Sequence, residues 1–272
     1  MSRVDRFRDK VVIVTGAAQG IGRGVAIGVA AEGGTVLAVD RSDLVIDVVA
    51  EIKAGGGSAA AFQADLETFA GAQSVVAEAL AKFKRVDVLI NNVGGTIWAK
   101  PYVEYGEAQI EAEIRRSLFP TLWCCRAALP GMADRGAGVI VNVSSVATRG
   151  VNRVPYAAAK GGVNAITAYL AMEYAAHGIR LCGMAPAGTE APARRIPRNV
   201  DEASARERDW CSHLPGWPRI VIIEYSPQRD HKGSSQKWGT FPRRGSVLAG
   251  LNTGDVHARR LASRSLTAIY PA

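Results

Sequence analysis

Four consecutive apolar residues, Val11-Val-Ile-Val14, run directly into Thr15-Gly-Ala-Ala-Gln-Gly-Ile-Gly22, and a helical pattern follows to about Ala31. A short, fully apolar run suits a parallel strand buried on both faces. Glycines at its exit let the backbone turn tightly. A helix that starts there offers free N–H groups and the positive end of its dipole to an anion. Gly16 and Gly20 are placed for the turn and Gly22 for close approach of helix to strand, with Thr15, Gln19 and Ile21 completing the loop. The spacing is Gly-x-x-x-Gly-x-Gly rather than the commoner Gly-x-Gly-x-x-Gly. A loop of purely structural use is the alternative; the strand-turn-helix context favours phosphate binding.

The same alternation continues along the chain. Thr35–Val39 reads as a second strand ending in Asp40. A carboxylate about twenty residues beyond the glycines can accept hydrogen bonds from ribose hydroxyls and repels a 2′-phosphate, which argues for NAD over NADP. Arg41 next door would welcome that phosphate and pulls the other way. A helix near 43–54 and a strand near 58–63 follow, leading to Asp65-Leu66, placed for an adenine ring; Asp65 also suits a helix cap. Val86–Ile90 is a fourth strand whose exit, Asn91-Asn92-Val93-Gly94-Gly95, carries amides and glycines where an open sheet holds its ligand. Residues 107–135 look helical, interrupted by Pro120 just after Ser117. Val139–Val143 is a fifth strand delivering Ser144-Ser145, and Ile179–Met184 a sixth. Six strand-helix repeats predict an α/β fold, a doubly wound parallel sheet of Rossmann type in one domain spanning residues 1–210.

Composition narrows the classes. The net charge of +8 is uneven: residues 211–272 hold nine Lys/Arg against three Asp/Glu, leaving 24 against 22 for residues 1–210. Most of the chain is near neutral, so no nucleic-acid partner is expected. No apolar run approaches the ~20 residues of a membrane span. The charged start Met1–Lys10 lacks the apolar stretch of a signal peptide, and a cytoplasmic protein is expected. Cys124, Cys125, Cys182 and Cys211 have no metal-like spacing and read as free thiols, and no metal is expected.

Tyr156 and Lys160 stand four apart in the helix after Ser144-Ser145, so their polar ends share one helix face. A phenol with a pKa near ~10 becomes a usable base when a cation is held beside it. The ordered set Thr15-Gly-x-x-x-Gly-x-Gly22, Asn91-Asn92-Val-Gly94, Ser144-Ser145, Tyr156-x-x-x-Lys160 and Pro186-x-Gly188 resembles the short-chain dehydrogenase/reductase family over roughly residues 8–190. The resemblance implies hydride transfer with a nicotinamide cofactor. Tyr156 would be the acid/base, with Lys160 lowering its pKa and holding the nicotinamide ribose. Ser145 would bond the reacting oxygen, with Ser144 the adjacent alternative, and Thr189 would meet the carboxamide. Two departures stand out. Ser117 occupies the place of an asparagine that holds a relay water, and Ala187 stands where Pro186 would usually be followed by glycine.

The stretches Gly94–Pro101, Arg116–Cys125, Ala147–Tyr156 and Gly188–Pro192 resemble the benzoate cis-diol dehydrogenases, a group within that family. That implies a small-molecule carboxylated diol as substrate and a catechol as product. An anionic substrate needs a cation, best a guanidinium. Arg149 and Arg153 in the loop before Tyr156 are the leading candidates, ahead of Arg194 and Arg195. Alternatives are another alcohol (a sugar, a steroid or a β-hydroxyacyl thioester) or a catalytically silent nucleotide-binding regulator.

After Trp210 the family pattern stops. Residues 211–272 hold three of four histidines and five of twelve prolines, and Val221-Ile-Ile223 is their one strong strand-like run. The abrupt change has the character of a shifted reading frame, which sequencing the coding DNA would decide. A genuine divergent tail is the alternative. The last strand of the sheet is therefore in doubt, and a homo-oligomer is expected if this part folds.

Overall fold

The computed structural model describes residues 5–186 and 220–225. The elements alternate: β1 (Val11–Thr15), α1 (Gly20–Ala31), β2 (Thr35–Asp40), α2 (Val45–Ala54), β3 (Ser58–Gln63), α3 (Phe69–Phe83), β4 (Val88–Asn91), α4 (Glu107–Ser117), α5 (Phe119–Asp134), β5 (Gly138–Val143), α6 (Val154–Tyr174), β6 (Ile179–Pro186) and β7 (Ile220–Tyr225). The spatial strand order is β3-β2-β1-β4-β5-β6-β7. The order reverses between β1 and β4, which opens a crevice at their carboxyl ends, the place where such sheets bind ligands.

Burial follows the two-residue period of each strand. Ile13, Leu37, Leu89, Ile140 and Leu181 face α3 and α5, meeting Val75, Ala79, Cys125 and Met132. Val12, Val14, Val36, Ala38, Val88 and Ile90 face the other way onto Ala26, Val29, Val45 and Ile52 of α1 and α2. Each inner strand is thus apolar on both sides, as a parallel sheet between two helix layers requires.

The interruption expected at Pro120 divides the helical run over 107–135 into two helices. The turn at Leu118 (φ −115°, ψ −50°) separates α4 from α5. Pro120 lies in the first turn of α5, where its missing N–H would have had no intrahelical partner. Thr68 rather than Asp65 caps α3, its hydroxyl accepting from Gly71 N at 3.1 Å.

The strand-like run around Val221 does pair with the sheet. β7 lies antiparallel to β6, with Leu181 opposite Tyr225 and Pro186 opposite Ile220. An antiparallel edge on an otherwise parallel sheet is a common arrangement. The other residues of the basic 211–272 segment, Cys211 included, lie outside the described residues, as do Arg194 and Arg195. Among the described residues no helix is long and apolar enough to cross a membrane, and no cluster of His, Cys, Asp or Glu could hold a metal ion.

Candidate active site

At the exit of β1, Gly16 and Gly20 adopt φ of +66° and +60°. Gly22 is required by contact: a Cβ there would lie 2.0 Å from the Gly16 carbonyl oxygen. Thr15, buried, ties this turn to β4, donating to Ile90 O at 3.3 Å and accepting from Asn92 N at 3.0 Å. Asn92 Nδ2 donates to Thr15 O and Gly16 O at 3.1 and 3.2 Å. Gln19 stands at the N-cap of α1 with its side chain uncommitted to capping, and Ile21 is half-buried in the first turn. Side chains are thereby kept out of the space before the α1 N-terminus. This is a cradle that fits the diphosphate of a dinucleotide.

Asp40 ends β2 half-buried. Its carboxylate accepts from Ala18 N at 3.1 Å and from Ser42 N at 3.0 Å, so one side chain joins the glycine turn to the residues after β2. Arg41 is half-exposed and leans toward Glu67, 3.8 Å away. Glu67 also meets Arg116 at 3.5 Å. Asp65 is exposed and accepts from Glu67 N, while the Leu66 side chain belongs to the core.

Asn91, expected at the cofactor, turns its side chain the other way. Its Nδ2 donates to Asn142 Oδ1 at 2.9 Å and lies 3.3 Å from Cys125 Sγ. Asn142 in turn donates to Thr167 Oγ1 at 2.9 Å, and Thr167 donates to Val163 O. This buried chain fastens β4, β5 and α6 together. Asn92, its neighbour, is the amide at the glycine turn. Strand alternation predicts that the two point oppositely; which one faces the turn depends on where β4 ends. Cys125 is inert in this setting, since burial pushes its thiol up to about 12.

β5 delivers two serines with different fates. Ser144 is buried and its hydroxyl donates to Lys160 O at 3.3 Å. Ser145 is half-buried and accepts from Ala147 N at 3.0 Å, capping a short 3-10 turn over Val146–Arg149. The side chain of Arg149 lies outside the described residues. α6 begins at Val154, with Pro155 in its first turn, so Tyr156 and Lys160 fall one turn apart near its N-terminus. Tyr156 is half-buried. Lys160 is 2% exposed, and Nζ donates to Val143 O at 2.7 Å. Desolvation lowers its pKa to about 8. Gly94 holds φ +149°, a conformation that favours glycine, and brings the post-β4 loop close to the ammonium: a Cβ there would lie 2.9 Å from Lys160 Nζ. Ser117 is fully buried beside the same loop and accepts from Gly95 N at 3.3 Å.

Arg153 occupies the N-cap position of α6, three residues before Tyr156, and is half-buried. Among the described residues its guanidinium makes no salt bridge. Its charge acts on Glu113 and Tyr105 from a distance. Those two residues escaped sequence reading. Glu113 sits in a highly charged helix and Tyr105 in a loop, so neither stands out as an inward-facing group. Pro186 closes β6, buried; Gly188 and Thr189 lie outside the described residues.

The chain has clear relatives among known proteins. Residues 10–200 match the short chain dehydrogenase family. The 1,6-dihydroxycyclohexa-2,4-diene-1-carboxylate dehydrogenase of Acinetobacter baylyi is 60% identical over 79% of this chain and 82% of its own. The enzyme of that name from Pseudomonas putida is 60% identical over 77% of each. The crystal structure of levodione reductase superposes with a TM-score of 0.66 at 31% identity, covering 69% of this chain and 74% of the other. A family match over residues 10–200 and two relatives at 60% identity show that the chain belongs to the short-chain dehydrogenase family.

Proposed function

We propose that the chain oxidises the secondary alcohol of a carboxylated cis-dihydrodiol of the benzoate type, with NAD as acceptor, and that the product loses carbon dioxide to give a catechol. Two relatives that bear the name of such a dehydrogenase, each 60% identical, support the reaction class. The observation that carries the acidic substrate is Arg153. It is a half-buried residue whose guanidinium makes no salt bridge among the described residues, one helical turn from Tyr156.

Bound NAD supplies the acceptor for the hydride that leaves the carbinol carbon. Tyr156, as phenolate, takes the hydroxyl proton while the carbonyl forms. Lys160 holds positive charge beside that phenolate and reaches the nicotinamide ribose. Ser145, half-buried where Ser144 is buried, donates to the reacting oxygen. Ser117 can hold a water that passes the proton on. Thr15, Gly16, Gln19, Gly20, Ile21 and Gly22 take the diphosphate, Asp40 the adenosine ribose, and Asp65 with the Leu66 backbone the adenine. Gly94, Pro186, Gly188 and Thr189 are assigned to the nicotinamide end, and Asn91 supports the site from within the sheet. Arg153, with Arg149, binds the carboxylate.

The new ketone lies β to that carboxylate. When the C–COO⁻ bond breaks, its electron pair forms the enolate double bond, which with the two ring double bonds makes the ring aromatic, and protonation of the enolate oxygen gives the catechol. Aromatisation makes the loss irreversible. The test is NADH absorbance on adding the benzoate cis-dihydrodiol, with Tyr156→Phe as control. Turnover that survives Tyr156→Phe would remove the mechanism; turnover of neutral cis-diols but not of the acid would remove the carboxylate claim.

A further inference from the structure

Glu113 and Tyr105, two side chains that the reaction does not use, converge on the loop leaving β4, beside Ser117. Glu113 and Ser117 stand four apart on α4 and work from one helix face. Ser117 holds Gly95 N, while Glu113 Oε1 accepts from both Ile97 N at 2.7 Å and Trp98 N at 2.8 Å. Glu113 is 0% exposed, and its Oε2 has no hydrogen-bond partner among the described residues. On the other side of the loop, Tyr105 is buried and directs its one hydroxyl proton between two carbonyls, Trp98 O at 2.8 Å and Asn152 O at 3.2 Å. Lys100 N adds a bond to Asn152 O at 2.8 Å. Burial first, and then the charge of Glu113, push the Tyr105 phenol up to about 12, so it remains a donor at any working pH. The loop is therefore stitched to α4 along one edge and to the Asn152 turn along the other. The next residue of that turn is Arg153.

We propose that Glu113 and Tyr105 are positioning residues for the carboxylate-binding end of the substrate pocket. They lock the 95–100 loop to the Asn152–Arg153 turn and so hold the guanidinium of Arg153 at a set distance from Tyr156. Asn152 itself sits at φ +59°, in the left-handed region that asparagine enters more readily than other non-glycine residues, so its carbonyl is turned toward Tyr105 and Lys100 without unusual strain. This inference rests on the reading of Arg153 as the ligand of the substrate carboxylate.

The test uses the full chain with saturating NAD. Tyr105→Phe keeps the ring and removes both bonds. It should raise KM for the acidic diol on the order of tenfold, with kcat and KM for NAD within about twofold of wild type. Glu113→Gln retains an acceptor for Ile97 N and Trp98 N and changes only the unpartnered end, so its KM should stay within about threefold; Glu113→Ala should behave like Tyr105→Phe. Amide hydrogen exchange over 95–100 and 150–153 gives a readout independent of turnover, and should quicken in Tyr105→Phe. A folded Tyr105→Phe enzyme with unchanged KM and unchanged exchange overturns the proposal. If wild type oxidises neutral cis-diols but not the acid, the substrate reading falls alone. The lock is then judged by exchange and by KM for the neutral diol, where no change again overturns it.

Discussion

Lys160 on α6 donates its Nζ proton to the main-chain carbonyl of Val143, at the end of β5, over 2.7 Å. The bond draws the helix that carries Tyr156 against the strand that delivers Ser145. It also places an ammonium where water cannot reach it, which is why burial lowers its pKa to about 8.

That burial has a sign. Between the folded pKa of about 8 and the unfolded value near ~10.4, the unfolded chain binds more protons, so stability rises with pH across that window. Below pH 8 both states carry the charge and the full penalty of burying it is present. Lys160→Met should therefore stabilise the cofactor-free protein at pH 7 by roughly 2 kcal/mol, less whatever the orphaned Val143 carbonyl takes back. Thermal unfolding should show a rise of a few degrees that shrinks toward pH 10, alongside a loss of turnover of at least ~100-fold. A variant less stable than wild type at pH 7 would contradict this account.

Gly22 and Gly24 make a matched pair two residues apart. A Cβ at position 22 would meet Gly16 O at 2.0 Å and Asn92 Nδ2 at 2.5 Å, whereas one at position 24 meets nothing within 4 Å. Gly22→Ala must open the turn, so NAD should no longer raise the unfolding temperature, and stability should fall by roughly 3 kcal/mol. Gly24→Ala, exposed in the helix interior, should add about 0.5–1 kcal/mol and leave NAD binding intact. Equal behaviour of the two variants would rule out the cradle as the reason for Gly22.

The sheet was legible in the sequence because buried parallel strands read as plain apolar runs, and β1 and β4 are of that kind. The turn after β1 was legible because glycines there have few other uses. Side-chain direction was harder. Asn91 and Asn92 differ only in which face of β4 they take, and the single buried chain through Asn142 and Thr167 decides it. Ser144 and Ser145 divide the same way. Glu113 shares α4 with Glu107, Glu111, Arg115 and Arg116, and nothing local distinguishes the one carboxylate that turns inward. The strand at Val221 was visible, but nothing in its own residues marks the antiparallel direction in which it pairs with β6.

Asp40 gives the cofactor a second test. Its two oxygens are engaged by Ala18 N and Ser42 N, and Arg41 lies 3.8 Å from Glu67; on the proposed cofactor reading the Asp40 charge would repel a 2′-phosphate. Asp40→Asn keeps one acceptor and removes the charge. The ratio of kcat/KM for NAD over NADP should fall on the order of tenfold or more, read from initial rates with each cofactor. Asp40→Asn combined with Glu67→Gln should lower it further by freeing Arg41. A ratio that stays put in both variants would place discrimination elsewhere.

Arg153 carries the substrate claim and so the sharpest kinetic expectation. Charge-assisted hydrogen bonds to a carboxylate are worth about 1.5–3 kcal/mol, so Arg153→Met should lower kcat/KM for the acidic diol by roughly 10- to 100-fold. Neutral cis-diols make no such contact, and their kcat/KM should change by less than about threefold, as should KM for NAD. Arg153→Lys keeps the charge but loses the planar two-pronged donor, and should recover only part of the deficit. The informative quantity is the acid-to-neutral selectivity measured on one preparation of each variant, because general damage to α6 lowers both substrates together. A parallel loss on acid and neutral diols would mean that Arg153 serves the helix start rather than the substrate carboxylate.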